Sequence, residues 1–149
     1  MYIKSCFFIG HREITGNILP KLEREIDRHI NELGVNEFFV GNYGEFDRMV
    51  AHLLKLAKKH YPQITLSLLT PYHPSERRIV LPDDFDFAFY PSTLENVPRR
   101  FAIVRANKYM IDHSDYLIAY VWHTASNARN ILEYAQRREN EGKISISLI

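Results

Sequence analysis

The chain has 149 residues, of which 46% are apolar and 25% charged, the size and composition of one ordinary globular domain with a single core. Nineteen Lys and Arg stand against eighteen Asp and Glu, so the global basic field that nucleic-acid binders usually carry is absent. The lone cysteine, Cys6, excludes an internal disulfide, and a domain of this length buries roughly two-thirds of its unfolded surface, enough to fold without disulfide or structural metal.

The apolar run 2–9 predicts a first strand, with Cys6 inside it as a buried core thiol in a reducing compartment. The run is too short for a signal sequence with its cleavage site, and nothing after it approaches the ~20 apolar residues of a membrane span. A cytoplasmic protein with no membrane partner is therefore expected. Next comes a helix from about Ile18 to Leu33, in which Leu19, Leu22, Ile26, Ile30 and Leu33 recur at steps of three and four before Gly34 stops it. Glu37–Val40 predicts the second strand. A loop over Gly41–Asp47 leads into a helix with Met49, Val50, Leu53, Leu54 and Ala57 on one face and Pro62 past its end. The third strand is expected over Ile64–Leu69.

Residues 70–98 are the least regular, holding five of the seven prolines and a short strand near Phe85–Phe89. Such insertions serve as lids or partner surfaces, or are loose excursions from the fold. A helix from about Arg99 to His113, a strand over Tyr116–Val121, a helix from Ser126 to about Asn140 stopped by Gly142, and a last strand over Ile144–Leu148 complete the chain. Short β-rich runs alternating with helical segments are the pattern of βαβ units. The expected fold class is α/β, one domain over residues 1–149 forming a Rossmann-like three-layer sandwich with a mainly parallel sheet.

In such sheets ligands settle outside the carboxyl ends of the strands, which directs attention to the loops there. In Gly10-His11-Arg12-Glu13 the glycine admits backbone close to a ligand and Arg12 offers a fork for phosphate or carboxylate; a plain surface turn is the competing reading. In the second loop Gly41 and Gly44, with Asn42 and Tyr43 between them, suggest a backbone-amide cradle at a positive helix end. Asp47 either caps that helix or contacts ligand. Glu45 and Asp47 either hold ribose hydroxyls or form an acid/base pair if one is desolvated. Two carboxylates sit poorly beside phosphate, so sugar or base is placed near them.

Before the last helix, Thr124, Ser126 and Asn127 supply hydroxyl, amide and backbone donors. Arg129 in the first turn opposes the helix dipole unless an anion offsets it, or it pairs with Glu133 at i,i+4. Trp122 is either core or a stacking surface for a base. The pairs Arg77-Arg78, Arg99-Arg100 and Arg137-Arg138 read as solvated faces. His11, His73, His113 and His123 lack metal-ligand spacing and no P-loop occurs, so neither metal nor cofactor is expected.

Three segments in order carry a family resemblance: Cys6–Arg12, Gly41–Asp47, and Arg105–Tyr116 running into Ser126–Asn130. Together they resemble the SLOG superfamily, the Rossmann-like group that joins the Smf/DprA proteins with the LOG phosphoribohydrolases, and especially its small stand-alone branch from bacteria and their phages. In that branch the loops read like Gly-His-Arg, Gly-Gly-x-x-Gly-x-Asp and Gly-Ser-Ala-Arg-Asn. The resemblance spans nearly the whole chain. It implies a site for nucleotides or nucleotide-derived signals, with members acting as hydrolases, defence sensors or nucleic-acid binders.

There are departures from the pattern. The LOG hydrolases place an arginine, here matched by Arg105, ahead of a Pro-Gly-Gly-x-Gly-Thr-x-x-Glu loop whose glutamate does the chemistry. Residues 121–126 lack the glycine pair, Arg129 stands about where that glutamate falls, and Asn42 replaces the second glycine of the middle loop.

The expected function is binding of a nucleotide-like small molecule, as in a sensor, with Arg12 and Arg129 on phosphate, Gly41 and Gly44 at close backbone approach, and Glu45 and Asp47 on sugar hydroxyls. One alternative is a nucleoside-phosphate N-glycosidase with Glu45, Asp47 and Arg105 as candidate catalytic groups. A second is a nucleic-acid-associated module resembling Smf/DprA, which the neutral charge disfavours. A third is an assembly protein using residues 70–98. A homodimer is the fold-level expectation for the oligomer.

Overall fold

The computed structural model describes residues 3–122 and 126–149. Six strands, β1 (Ser5–Gly10), β2 (Glu37–Val40), β3 (Thr65–Leu69), β4 (Phe87–Phe89), β5 (Tyr116–Tyr120) and β6 (Ser145–Leu148), form one sheet in the order β4-β3-β2-β1-β5-β6. Every neighbouring pair is parallel. The helices α1 (Leu19–Asn31), α2 (Glu45–His60), α3 (Ala102–His113) and α4 (Asn127–Asn140) supply the crossovers.

Strand residues alternate between two cores. Cys6, Phe8, Phe38, Leu66 and Ile118 pack with Leu22 and Ile26 of α1 and Val50 and Leu54 of α2. Phe7, Ile9, Leu117 and Ala119 pack on the opposite face with Ala106 and Met110 of α3 and Ile131 and Leu132 of α4. A strand covered on both faces has no solvent side to make polar, which is why β1 reads as an unbroken apolar run. The result is the three-layer sandwich, with α1 and α2 on one face and α3 and α4 on the other.

Several boundaries differ from the sequence expectation. Helix α1 ends at Asn31, so Leu33 lies beyond it, and Leu19, its first residue, is exposed where an apolar face was expected. Helix α3 starts at Ala102; the preceding Arg99–Phe101 is a tighter 3-10 turn entered from Pro98.

The latter part of residues 70–98 is anchored to the sheet. Strand β4 pairs with β3 at its edge, the Leu66 N–H donates to the Asp86 carboxylate at 2.8 Å, and that carboxylate also holds Lys58. The Thr70 N–H donates to the Phe89 carbonyl at 2.8 Å, while Phe85 and Leu94 are buried. Among the described residues no helix is long and apolar enough to cross a membrane.

From β1 the chain steps outward through β2, β3 and β4, then returns to place β5 on the other side of β1. The connections leaving β1 and β5 therefore diverge from two paired strands, with Gly10 opposite Tyr120, and such a divergence leaves a crevice at the carboxyl ends.

Candidate functional site

A cavity of about 370 Å³ occupies that crevice. Gly10, His11 and Arg12 line it from the end of β1, and Gly41, Tyr43 and Asp47 from the end of β2 and the start of α2. Ser126, Asn127 and Ala128 line it from the start of α4. Facing them is the segment entering and forming α3, with Arg100, Ile103, Val104 and Asn107, and the floor is closed by residues of β1 and Ile131 of α4.

The loop after β1 is held from both sides. A Cβ on Gly10 would stand only 2.3 Å from Cδ2 and 2.4 Å from Cγ of Phe46, whose ring stacks on Tyr120 with centroids 5.7 Å apart. Gly10 thus makes room for α2 to dock, a use of its missing side chain that stands beside its place in the cavity lining. On its other flank the backbone N–H of Trp122 donates to His11 Nε2 at 2.9 Å, which puts the proton of the neutral imidazole on Nδ1. The His11 ring also meets Tyr120 and Trp122 edge-on. Trp122 itself is half exposed at the end of β5 and does not line the cavity.

Gly44 couples this loop to the next. Its φ is +149°, and a Cβ there would stand 2.5 Å from the Arg12 Cα, while the Glu45 N–H donates to the Arg12 carbonyl at 2.8 Å. Arg12 therefore projects from a fixed backbone, exposed, with no hydrogen bond or ion pair to its guanidinium among the described residues.

The amide cradle expected at Gly41–Gly44 is partly engaged by the protein's own acceptors. The Tyr43 N–H donates to Asp47 Oδ2 at 3.0 Å and the Glu45 N–H is taken by Arg12, so neither remains for an anion. Gly41 gives room to the same arrangement, since a Cβ on it would lie 3.1 Å from that Asp47 oxygen. Asp47 thus lines the cavity while its carboxylate ties down the loop ahead of α2, and it does not cap the helix, whose start has no side-chain cap.

Unlike α2, helix α4 has a side-chain cap. Ser126 Oγ accepts from the Arg129 N–H at 3.0 Å, and Asn127 and Ala128, whose amides have no acceptor within the helix, line the cavity. This is the helix start at which an anion finds donors.

Burial raises the Asp47 carboxyl from 3.8 to about 6, against the smaller opposing pulls of the Tyr43 N–H and the Arg48 charge. Because folding favours the protonated form, this group's contribution to stability is fully present below pH about 4 and is lost as pH rises through about 6. Asp47→Asn should remove that dependence: relative to the variant, the wild type is expected to lose about 2 kcal/mol between pH 4 and 7 in urea denaturation. Parallel pH profiles for the two proteins would contradict the burial of this carboxyl.

Other expected site residues lie apart from the cavity. Glu45 and Arg105 are exposed and do not line it. Arg129 is directed to Glu133, with Nε 3.5 Å from Oε1, the i,i+4 alternative in the sequence reading. Asn42 lines a neighbouring pocket, and Thr124 and His123 fall outside the described residues.

The α3 wall was missed by sequence reasoning, although its signal was present: positions 100, 103, 104 and 107 recur at helical spacing on one face. No family model matches the chain, and no match was found among curated proteins.

Proposed function

We propose that the protein binds a nucleotide or nucleotide-derived small molecule in the β1/β5 crevice, in line with its resemblance to the SLOG superfamily. The observation that carries this reading is the convergence of Arg12, Arg100 and the open amides of α4 on one cavity that also holds Asp47 and Asn107. Guanidinium forks and a helix start are complementary to phosphate. A carboxylate and a carboxamide suit sugar hydroxyls. Arg100, stacked over Phe101 at 4.8 Å, supplies the second cation in place of Arg129. The cavity is of the size that holds small ligands.

The test is a thermal-shift panel of mono-, di- and cyclic nucleotides and ADP-ribose-type compounds, repeated with Arg12→Ala and Arg100→Ala. A ligand at 100 times its dissociation constant stabilises the native state by about 2.7 kcal/mol, a rise of roughly 5–10 °C in Tm for a domain of this size. Either substitution should abolish most of the shift. A folded protein that shifts with no member of the panel would overturn the reading.

One observation favours a second reading, N-glycosidic hydrolysis of a nucleoside phosphate: Asp47, in the cavity, has its carboxyl moved to about 6, within the range where an acid/base group works at neutral pH. Steady release of base from a nucleoside monophosphate, lost in Asp47→Asn, would select this reading over binding alone.

A further inference from the structure

A second cavity, of about 310 Å³, adjoins the first. Its floor is Leu68, Leu69 and Thr70 at the carboxyl end of β3, its sides include Tyr72 and Ile79, and Asn42 stands at its rim. The residue common to both cavities is Tyr43.

Tyr43 is fixed at its base. Its backbone N–H is held by Asp47 Oδ2, and its ring packs so closely on the preceding loop that a Cβ on Gly41 would stand 3.4 Å from Cδ2. Burial and the neighbouring Tyr72 push its hydroxyl up to about 12, so the partition stays uncharged beside an anion.

The second cavity differs in chemistry from the first. Its floor is apolar at Leu68 and Leu69, the Thr70 hydroxyl is given to the Phe89 carbonyl, and Arg77 and Arg78 also line it. Its Tyr72 ring is held by two guanidinium groups, Arg77 at 5.1 Å and Arg99 at 4.7 Å from the centroid, which makes it a positioned aromatic surface rather than a free one. The Asn42 carboxamide carries both a donor and an acceptor, the complement of a heterocycle edge. Apolar floor residues, a held ring, the Asn42 amide and the donors of Arg77 and Arg78 suit a flat heterocycle that carries hydrogen-bond acceptors along its edge.

We propose that this second compartment takes the base of the same nucleotide whose phosphate lies in the crevice, with Tyr43 as the wall over which the ligand bends. The inference rests on the nucleotide reading above and deepens it. It makes the site two-part: the crevice supplies affinity for any sugar phosphate, and the Asn42/Tyr72 compartment supplies the preference for one that carries a base. Stacking and edge hydrogen bonds on a base add a factor of ten or more in affinity over the same sugar phosphate without it.

The experiment is calorimetric titration of the wild type, Arg12→Ala, Asn42→Trp and Tyr72→Ala with ribose 5-phosphate and with the four nucleoside 5′-monophosphates. Asn42 is exposed, so a Trp there fills the compartment without entering the core. The wild type should bind at least one nucleoside monophosphate tenfold or more tighter than ribose 5-phosphate. Asn42→Trp and Tyr72→Ala should erase that difference while leaving ribose 5-phosphate within about twofold of its wild-type affinity. Arg12→Ala should weaken both ligand types.

Equal affinity for ribose 5-phosphate and every nucleoside monophosphate, still sensitive to Arg12→Ala, would overturn the two-part site and leave the nucleotide reading standing. A base preference that persists in Asn42→Trp and Tyr72→Ala would equally place the base elsewhere. Binding of no phosphate ester by the folded wild type would overturn both.

Discussion

Gly44→Ala should destabilise the protein by about 3–5 kcal/mol and displace the loop that carries Arg12. Two costs add. The residue sits at φ +149°, a conformation that side-chain-bearing residues rarely adopt, and its new Cβ would meet backbone, the Arg12 Cα at 2.5 Å and the Arg12 carbonyl oxygen at 3.0 Å, rather than a side chain free to swing away. Relief requires the two loops to part, which breaks the Glu45 N–H bond to the Arg12 carbonyl. Urea denaturation measures the first effect; the affinity of any crevice ligand, expected to fall with it, measures the second. Gly142→Ala is the control: φ there is +75°, but the space is open, so a loss of only about 1 kcal/mol is expected. Equal losses at the two glycines would mean that the loops are not clamped as described.

Phe46→Ala should cost about 3–5 kcal/mol, the usual consequence of removing a buried aromatic ring. The ring is 1% exposed, stacks on Tyr120 and occupies the space that a Gly10 side chain would need. From this follows a coupling that a generic core defect would not produce. Gly10→Ala alone should destabilise strongly, because its Cβ has nowhere to go but into the ring. Introduced into Phe46→Ala, the same substitution should cost little or even stabilise by filling the hole. A double-mutant cycle should therefore give a coupling of about 2 kcal/mol or more in favour of the pair. Additive losses would show that Gly10 serves something other than the docking of α2.

The fold was legible because its signals are local and repeated. Apolar runs such as Cys6–Ile9 and Leu117–Val121 leave no polar face, and the steps of three and four in Leu22, Ile26 and Ile30 leave no strand reading. The sheet is parallel throughout, where a mainly parallel one was expected. Strand β4 was faint because an edge strand of three residues, with Phe87 exposed, carries little periodicity to read.

The candidate site's place in the fold followed from the sequence more directly than its parts did. Arg12, Asp47, Ser126 and Asn127 were reached by asking which loops follow the strands, and the cavity brings them together. The glycines were visible, but a sequence records only that a Cβ is missing, and what fills the space depends on elements distant in the chain: Phe46 for Gly10, the Arg12 backbone for Gly44. Choosing between Arg129 and Arg100 required the rotation of α3 and α4 about their axes. Both arginines lie near helix starts, yet only Arg100 lines the crevice, while Arg129 meets Glu133.

The most direct measurement is a nitrogen–proton correlation spectrum of the labelled protein titrated with the nucleotide that gives the largest thermal shift. Amide shifts are expected to concentrate at Gly10–Arg12, Gly41–Asp47 and Asn127–Ala128, to saturate together at one dissociation constant, and to vanish in Arg12→Ala. Saturable shifts centred instead on the groove between α1 and α2, or binding unaltered by Arg12→Ala, would contradict a ligand site at the carboxyl ends of β1 and β5.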